Sequence, residues 1–198
     1  MSIKALLLGG LRRYFHITIY KFHYLAKVID KKEVEKQIQT ASIPATELLF
    51  EDFLKGDKDV FDEQKLALYK GRFAGGNYKA YGIIVDGHLV YSSWVSFEKV
   101  GMPIETKSVL LNQREGYFED DYCSKEYRGQ GIHTRMIWFR LNELIKHGKN
   151  VAIITIMDGN LPAIKPAIKC GFKDMGCFYC GKIFGKKFNT LKKEKYSI

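Results

Sequence analysis

Two kinds of hydrophobic periodicity occur along the N-terminal part of the chain. Residues 14–25 (YFHITIYKFHYL) alternate apolar and polar positions and are rich in β-branched and aromatic side chains, which favours a strand. Apolar residues from Leu11 to Ile29 also recur at helical spacing, so a helix is the alternative here. Residues 46–55 and 62–73 have the pattern of two amphipathic helices. We therefore expect a strand followed by two helices.

From residue 78 onward the pattern becomes that of a sheet interrupted by helices. Residues 78–97 contain two β-rich runs joined by Asp86-Gly87, a dipeptide that favours a tight hairpin turn. Strands are then predicted at 116–124, 150–157, 173–180 and 181–186, and helices at 131–147 and 158–172. This order of elements predicts an α/β fold built around one mixed sheet.

Composition and charge narrow the range of partners. The 198 residues are 46% hydrophobic and 14% aromatic, as in a folded globular protein, and no apolar run reaches the roughly 20 residues of a membrane span. The net charge of +10 is concentrated at the ends: residues 1–28 hold five basic and no acidic residues, and 181–198 hold six basic and one acidic. Because no recognition motif accompanies this charge, we expect no nucleic-acid partner. The basic ends either contact an anionic membrane or keep the termini solvated.

The four cysteines predict neither disulfides nor a metal site. The apolar run near the N-terminus is followed by two arginines instead of a small-residue cleavage site, so we expect a cytoplasmic protein with reduced thiols. Cys177 and Cys180 have the spacing of half a zinc site, but no second half follows them. On a strand, residues three apart point to opposite faces. We therefore predict no metal.

A glycine pair lies between a predicted strand and a predicted helix, in the sequence EYRGQGIHT. Gly129 and Gly131 allow the backbone to approach a ligand, and the free amides and dipole of a helix N-terminus favour an anion. No Lys-Ser/Thr pair and no third glycine follow, so this is neither a P-loop nor a dinucleotide fingerprint. An ordinary tight turn before a helix is the alternative on these residues alone.

With a second motif, the arrangement resembles the GNAT superfamily of acyl-CoA N-acyltransferases. The first family motif, Arg/Gln-x-x-Gly-x-Gly/Ala, is matched by Arg128 and Gly131, and His133 replaces its last small residue. The second, an Asn followed by a short helix and Gly-Phe, is matched by Asn160 and Gly171-Phe172. The resemblance covers about residues 78–185 and implies an α/β fold with a single mixed β-sheet flanked by helices and splayed central parallel strands.

The resemblance also implies a division of the chain and a co-substrate. Residues 46–187 would form the GNAT domain, preceded by a basic, aromatic extension (1–45) that adds a strand to the sheet and followed by a basic tail (188–198). The co-substrate would be acetyl-CoA or another acyl-CoA, with no metal. The residues that the resemblance assigns to it are Cys123, Arg128, Gly129, Gln130, Gly131, Ile132, His133, Thr134, Asn160 and Ala163.

The implied activity is direct transfer of an acetyl group to a primary amine of a small molecule or of an amino sugar or glycan precursor. Many family members carry a tyrosine as general acid at the position of Ala167, and some carry a basic glutamate at the position of Thr155. Both positions lack the expected group here. The proton must therefore move through other residues.

The acidic strand around residue 120 offers the replacements. Glu119 and Asp121 are the candidate bases, because alternation would place them on one strand face with Cys123. Ion pairs with nearby lysine or arginine are the alternative role for both acids. Tyr122, with Tyr117 and Tyr179, is a candidate proton donor.

Two other functions and two further partners are consistent with the same residues. The missing tyrosine and glutamate motivate a catalytically degenerate GNAT that binds CoA or a partner. The basic, aromatic N-terminus motivates a membrane-surface acyltransferase that uses longer acyl chains. A homodimer and a peripheral contact with an anionic membrane are the further partner hypotheses, the latter at the inner membrane surface.

Overall fold

The alternating hydrophobic patterns become one large sheet in the computed structural model, which describes residues 17–40, 43–101 and 109–192. The strands are β1 (Thr18–Val28), β2 (Thr46–Glu47), β3 (Tyr78–Val85), β4 (His88–Ser96), β5 (Lys99–Val100), β6 (Val109–Leu110), β7 (Glu115–Cys123), β8 (Val151–Met157), β9 (Lys173–Ile183) and β10 (Lys186–Asn189). The α-helices are α1 (Lys31–Thr40), α2 (Phe50–Phe53), α3 (Glu63–Gly75), α4 (Ile132–Lys146) and α5 (Leu161–Lys169). A single 3₁₀ turn, Lys125–Tyr127, lies between β7 and α4.

Eight strands form the main sheet in the order β10-β9-β1-β8-β7-β4-β3-β2, and β5 and β6 form a separate ribbon. Helices α1, α4 and α5 cover one face, which we call the α4 side. Helices α2 and α3 and the β5–β6 ribbon cover the other face, which we call the α3 side. Within the described ranges, no helix is long and apolar enough to cross a membrane.

The central strands separate partway along their length. β7 and β8 are parallel and pair only from Glu115↔Val151 to Phe118↔Ile154. β7 then continues to Cys123 and β8 to Met157 without further pairing to each other. The expected fold class, a mixed sheet with splayed central parallel strands, is confirmed.

Most predicted elements are present. The strand interpretation of residues 14–25 is confirmed by β1 from Thr18 onward, while residues 14–16 lie outside the described ranges. The Asp86-Gly87 hairpin is formed by β3 and β4. Cys177 is exposed and Cys180 is buried, as their spacing on a strand predicted.

Two predictions near the N-terminus differ from the structure. The helix expected over 46–55 is wrong at its start, because Thr46 pairs with Gly82 in the sheet and Leu48 N donates to Ala80 O at 2.8 Å. Pairing with a distant strand overrides the local helical pattern. Helix α1 was not predicted, because its residues are mostly polar and only Val34 is fully buried in it.

The segments outside the predicted GNAT domain contribute to the sheet. β1 lies inside the sheet, between β8 and β9. At the other end, β10 continues to Asn189 and Leu191 is buried, so the segment expected to be a tail from residue 188 begins within the sheet and core. Residues 1–16 and 193–198 lie outside the described part of the chain.

A bulge in β7 decides which way its acidic residues point. Asp120 has φ +56°, in the left-handed region, and the register of β4 with β7 shifts between Ser92 and Trp94. The Asp120 carboxylate accepts hydrogen bonds from Tyr69 Oη and Arg72 Nη1, both at 3.0 Å, on the α3 side. The extra residue breaks the alternation of the strand.

The prediction that Glu119 and Asp121 share a strand face with Cys123 is therefore wrong for Glu119. Glu119 pairs with Arg72 on the α3 side, whereas Asp121 pairs with Arg140 on the α4 side, the face on which Cys123 also packs. Two carboxylates two residues apart thus lie on opposite sides of the sheet.

We expect the backbone of the bulge to reverse the usual order of stability of alanine and glycine variants at Asp120. In a strand, alanine is ordinarily more stable than glycine, but at φ +56° a Cβ is unfavourable. Asp120→Ala should therefore be less stable than Asp120→Gly by about 1 kcal/mol, since both variants lose the same carboxylate contacts. Chemical denaturation of the two variants measures the difference. Greater stability of the alanine variant would contradict a left-handed bulge.

Candidate active site at the splayed strands

The glycine loop before α4 adopts a backbone conformation that other residues strongly disfavour. Gly129 and Gly131 have φ of +77° and +72°, and a Cβ at either position would meet nothing within 4 Å. The requirement for glycine is therefore conformational rather than steric. Gly131 is the N-cap of α4, with no side-chain cap, so the first-turn amides of the helix are directed to a ligand or to solvent.

The two sequence motifs meet at one cleft of about 690 Å³. Its walls are the end of β7, the glycine loop, the first turn of α4 and the first turn of α5. Of the residues predicted to bind the co-substrate, all but Gln130 line it; the side chain of Gln130 instead donates to Glu126 O at 3.0 Å. Such a volume is typical of a ligand site.

Two predicted residues at the cleft are held by local contacts. Arg128 Nε donates to Cys123 O at 3.0 Å, which ties the glycine loop to the end of β7. Cys123 is half-buried, and burial raises the pKa of its thiol, so the thiol stays protonated at neutral pH. Asn160 is the N-cap of α5 and is exposed at the cleft.

A polar cluster forms part of the cleft wall on the α4 side. Tyr91 Oη lies 2.6 Å from His133 Nδ1, and Asp121 Oδ2 lies 3.7 Å from the same nitrogen. Burial lowers the pKa of His133, so the ring is neutral at pH 7 and Nδ1 can accept a hydrogen bond from Tyr91 Oη. Arg140 is fully buried and lies 2.8 Å from Asp121 Oδ1. His133 therefore turns inward.

The sequence had not identified Tyr91 or Arg140 as part of this cluster. Tyr91 lies on β4, and its distance in sequence from the motifs gave no signal. Arg140 falls on the apolar stripe of the predicted 131–147 helix, where a charged residue indicates a buried partner. That partner is Asp121.

The α3 side of the splay holds a buried carboxyl group. Glu119 Oε2 lies 3.2 Å from Arg72 Nη2, and Oε1 is buried with no hydrogen-bond partner among the described residues. Burial, partly offset by the Arg72 charge, raises the pKa of Glu119 to about 7. Gly101 leaves room for this carboxyl group, because a Cβ there would collide with Oε2. Arg72 was not singled out in the sequence.

Two further side chains lie across the gap between β7 and β8. Tyr117 Oη is 2.6 Å from Thr155 Oγ1, and burial raises the pKa of Tyr117. Thr155 is the β8 position at which some GNAT members carry a glutamate, and its hydroxyl contacts Tyr117.

Tyr122 and Ala167 differ in what they offer to proton transfer. Tyr122 borders the cleft, but its ring packs edge-on against Phe61 at 4.8 Å, and burial raises its pKa. Ala167 is fully buried in the core between α5 and the sheet. The α5 helix therefore supplies no hydroxyl at the position where many GNAT members have one.

No protein-family model matches the sequence, and no curated protein matches it. Solved structures do match the fold. A GNAT-family acetyltransferase from Novosphingobium aromaticivorans aligns with a TM-score of 0.54 and 16% identity over 82% of this chain. A GNAT-family acetyltransferase from Colwellia psychrerythraea aligns with a TM-score of 0.55 and 16% identity over 88% of it.

A third match is the GCN5-related glucosamine N-acetyltransferase region of a fungal multi-domain β-N-acetylglucosaminidase, with a TM-score of 0.56 and 14% identity over 90% of this chain. The chain spans 64%, 60% and 22%, respectively, of the lengths of these three structures. At these identities the similarity concerns the fold. The chain has the fold of the GNAT superfamily, as its two sequence motifs predicted.

Proposed function

We propose that the protein is an acyl-CoA-dependent N-acyltransferase that moves an acetyl group from acetyl-CoA directly to a primary amine. The observation that carries the proposal is the arrangement at the splayed strands. A cleft built by both motifs lies at the end of β7, and a buried carboxyl group with a pKa of about 7 lies on the other face of the same strand. Donor and acceptor would approach the gap from opposite sides.

The co-substrate side is suited to a CoA ester. First-turn amides of α4 and the helix dipole would hold the pyrophosphate. The positive φ of Gly129 and Gly131 gives the loop the conformation in which these amides can face the ligand. The β7 backbone that ends at Cys123, no longer paired to β8, offers donors and acceptors to the pantetheine arm. Asn160 and Ala163 would form the opposite wall.

Glu119 is the base that the geometry favours. An ammonium has no lone pair, so direct transfer requires that the amine lose a proton before or during attack. A carboxyl group with a pKa of about 7 is half ionised at neutral pH and accepts that proton more readily than an ordinary glutamate. Arg72 holds the carboxylate in place from α3.

Asp121 and Tyr122 are the second candidates for proton transfer. Asp121 lines the cleft, but its ion pair with the fully buried Arg140 favours a role in holding α4 on the sheet. Tyr122 also lines the cleft and would give a proton to the departing thiolate, with Tyr117 as the alternative donor.

The acceptor that we propose is a small-molecule amine, with an amino sugar or glycan precursor as the first class to test. The fungal structure with the same fold is a glucosamine N-acetyltransferase region, which supports that class.

A degenerate protein that binds CoA without transfer is the second candidate function. Ala167 and Thr155 favour it, because neither supplies the usual proton-transfer group. Release of free CoA thiol from acetyl-CoA, measured against a panel of amines that includes glucosamine, separates the two functions. We expect thiol release that depends on the amine; acetyl-CoA binding without release for every amine would favour the degenerate protein.

The glycine loop gives a prediction about binding. Gly131→Val should weaken acetyl-CoA binding by about tenfold or more, because moving the first-turn amides loses charge-assisted hydrogen bonds. Gly148, at the other end of α4, has nearly the same φ of +70° and equally open surroundings, so Gly148→Val is a matched control for backbone strain. Calorimetric titration should show the loss only in the first variant. Equal acetyl-CoA affinities of the two folded variants would contradict the assignment of the glycine loop as the pyrophosphate site.

The buried carboxyl group gives a prediction about pH. If Glu119 acts as base, kcat/KM should rise with pH up to about 7 and then level off, because the ionised fraction of the base increases through its pKa. Glu119→Gln should lower kcat by about 10²–10⁴-fold and abolish this limb, with acetyl-CoA affinity retained. Arg72→Gln should move the limb to higher pH, since it removes the cation that favours the ionised form.

Asp121→Asn is the control for this experiment. It should lower the unfolding temperature while the folded fraction keeps the acidic limb, because Asp121 pairs with Arg140 on the opposite face. If Glu119→Gln kept the acidic limb of the kcat/KM profile and Asp121→Asn lost it, the base would be Asp121 and not Glu119.

A further inference from the structure

His23, on β1, contacts a carboxylate at each of its two ring nitrogens. Nδ1 lies 2.7 Å from Asp174 Oδ2, and Nε2 lies 2.8 Å from Asp158 Oδ1. A carboxylate only accepts hydrogen bonds, and a neutral imidazole has a single N–H, so a neutral ring can donate to only one of the two. Both hydrogen bonds therefore exist together only when His23 is an imidazolium cation.

The two carboxylates mark the two ends of the connection from β8 through α5 to β9. Asp158 comes directly after β8, and Asp174 is the second residue of β9. Helix α5 lies between them and forms a wall of the cleft with Asn160, Pro162, Ala163 and Pro166. We call His23 with its two aspartates the His23 clamp, because one side chain of β1 holds both ends of the segment that forms this wall.

A bulge in β9 lies beside the ring. The register of β1 with β9 shifts between His23 and Leu25, where β9 has one residue more than β1. Within the bulge, Gly176 N donates to Asp174 Oδ1 at 2.9 Å. The Asp174 carboxylate is thus fixed by its own strand, with Oδ2 directed to His23.

β1 and β9 bring three other titratable groups to the same face of the sheet. Lys21 Nζ lies 3.5 Å from Asp158 Oδ1, and Lys21 O accepts a hydrogen bond from Asp158 N at 2.9 Å. Cys177 Sγ lies 3.6 Å from His23 Nδ1, and Tyr179 lies opposite Lys21. The Lys21 charge disfavours a cationic ring, whereas the two carboxylates favour it.

The carboxylates outweigh the lysine and the partial burial of the ring. Hydrogen bonds to Asp158 and then to Asp174 raise the pKa of His23 above its usual 6.5. The same contact lowers the pKa of Asp158, so the shared proton resides on the ring rather than on that carboxylate. His23 is therefore the member of the clamp that titrates above pH 6.5.

We infer that His23 is a positioning residue for the cleft: its imidazolium holds the α5 wall through Asp158 and Asp174, and loss of one ring proton at alkaline pH releases one end of that wall. The neutral ring can donate to either carboxylate but not to both. Asn160 follows Asp158 by two residues, so release at that end loosens the loop that carries Asn160 into the cleft.

The consequence for acetyl-CoA rests on the proposed function. Because the pKa of His23 is higher in the folded than in the unfolded protein, the clamp contributes fully below pH 6.5 and is lost as the pH rises through the folded-state pKa. Affinity for acetyl-CoA should fall in the same direction. The clamp therefore opposes the rise of kcat/KM that ionisation of Glu119 would cause.

Hydrogen exchange between pH 6 and pH 9 tests the clamp without any ligand. The backbone amide of Asp158, which donates to Lys21 O, reports on the loop. Its protection factor, which corrects for the intrinsic effect of pH, should fall by about tenfold or more in the wild type, as expected for the loss of a charge-assisted hydrogen bond. NMR titration of the His23 ring nitrogens should place this fall at the pH where the ring loses its proton.

Two variants separate the charge of the ring from its bulk. In His23→Arg the guanidinium stays charged and can donate to both carboxylates, so protection at position 158 should not change with pH. In Asp158→Asn the side-chain amide can accept from a protonated Nε2 or donate to a neutral one, so the pH dependence should also disappear. His88→Gln, at an exposed histidine at the start of β4, is the control and should keep the wild-type fall.

Calorimetric titration with acetyl-CoA then tests the consequence. Relative to His23→Arg, in which the ligand and Glu119 titrate as before, the wild type should lose about tenfold in affinity between pH 6 and pH 9. Protection at position 158 that is independent of pH in the wild type, or that falls equally in His23→Arg, would overturn the inference. Absence of acetyl-CoA binding at every pH, with the wild-type fall in protection present, would confirm the clamp and contradict the proposed function.

Discussion

Four pairs of residues join the parallel strands β7 and β8, and beyond Phe118 and Ile154 the strands separate. A backbone that leaves its partner must find other hydrogen bonds, from the protein, from water or from a ligand. On the α4 side, the separated end of β7 borders the cleft formed with the glycine loop and α5. On the α3 side, the Tyr117–Thr155 contact bridges the gap at its base. The cleft and the buried carboxyl group both depend on this separation.

The bulge at Asp120 divides the acidic strand between two chemical environments. Glu119 and Asp120 share the guanidinium of Arg72, which lies within 5.0 to 5.4 Å of the ring centroids of Tyr69, Tyr78 and Trp94, and Asp120 also pairs with Lys65 Nζ at 3.1 Å. Asp121 instead pairs with Arg140, which lies 4.4 Å from the ring centroid of Phe118. The shared Arg72 compensates Glu119 only in part, whereas a dedicated, fully buried cation holds the Asp121 carboxylate firmly. This difference makes Glu119 the more suitable group to gain and lose a proton.

The raised pKa of Glu119 lowers the stability of the folded protein at neutral pH. Its pKa is about 7 in the folded protein against 4.5 in an unperturbed glutamate, so the folded state binds the proton more tightly than the unfolded state does. Stability therefore falls as the pH rises from about 4.5 to about 7, by roughly 3 kcal/mol if the whole shift is realised. Such a cost is common where a site needs a group that the fold alone would not favour.

The sequence by itself determined the features that depend on a few neighbouring residues. Asp86-Gly87 predicted a hairpin and the Gly129–Gly131 loop predicted a helix start with free amides, because turn and helix-start preferences are local properties of the backbone. The resemblance of the two motifs to the GNAT superfamily implied the splayed mixed sheet. Element order then followed from hydrophobic periodicity.

The tertiary structure decided what depends on distant partners. Leu48 is extended because Ala80 accepts its hydrogen bond, and Glu119 faces α3 because one bulge residue shifts the strand against β4. The strand pattern alone gave Glu119 and Asp121 the same face, because strict alternation of side chains does not account for the extra residue of a bulge. The raised pKa of Glu119 likewise arises from burial by segments far away in sequence. Side-chain direction and burial are set by the assembled fold, and no local pattern contains them.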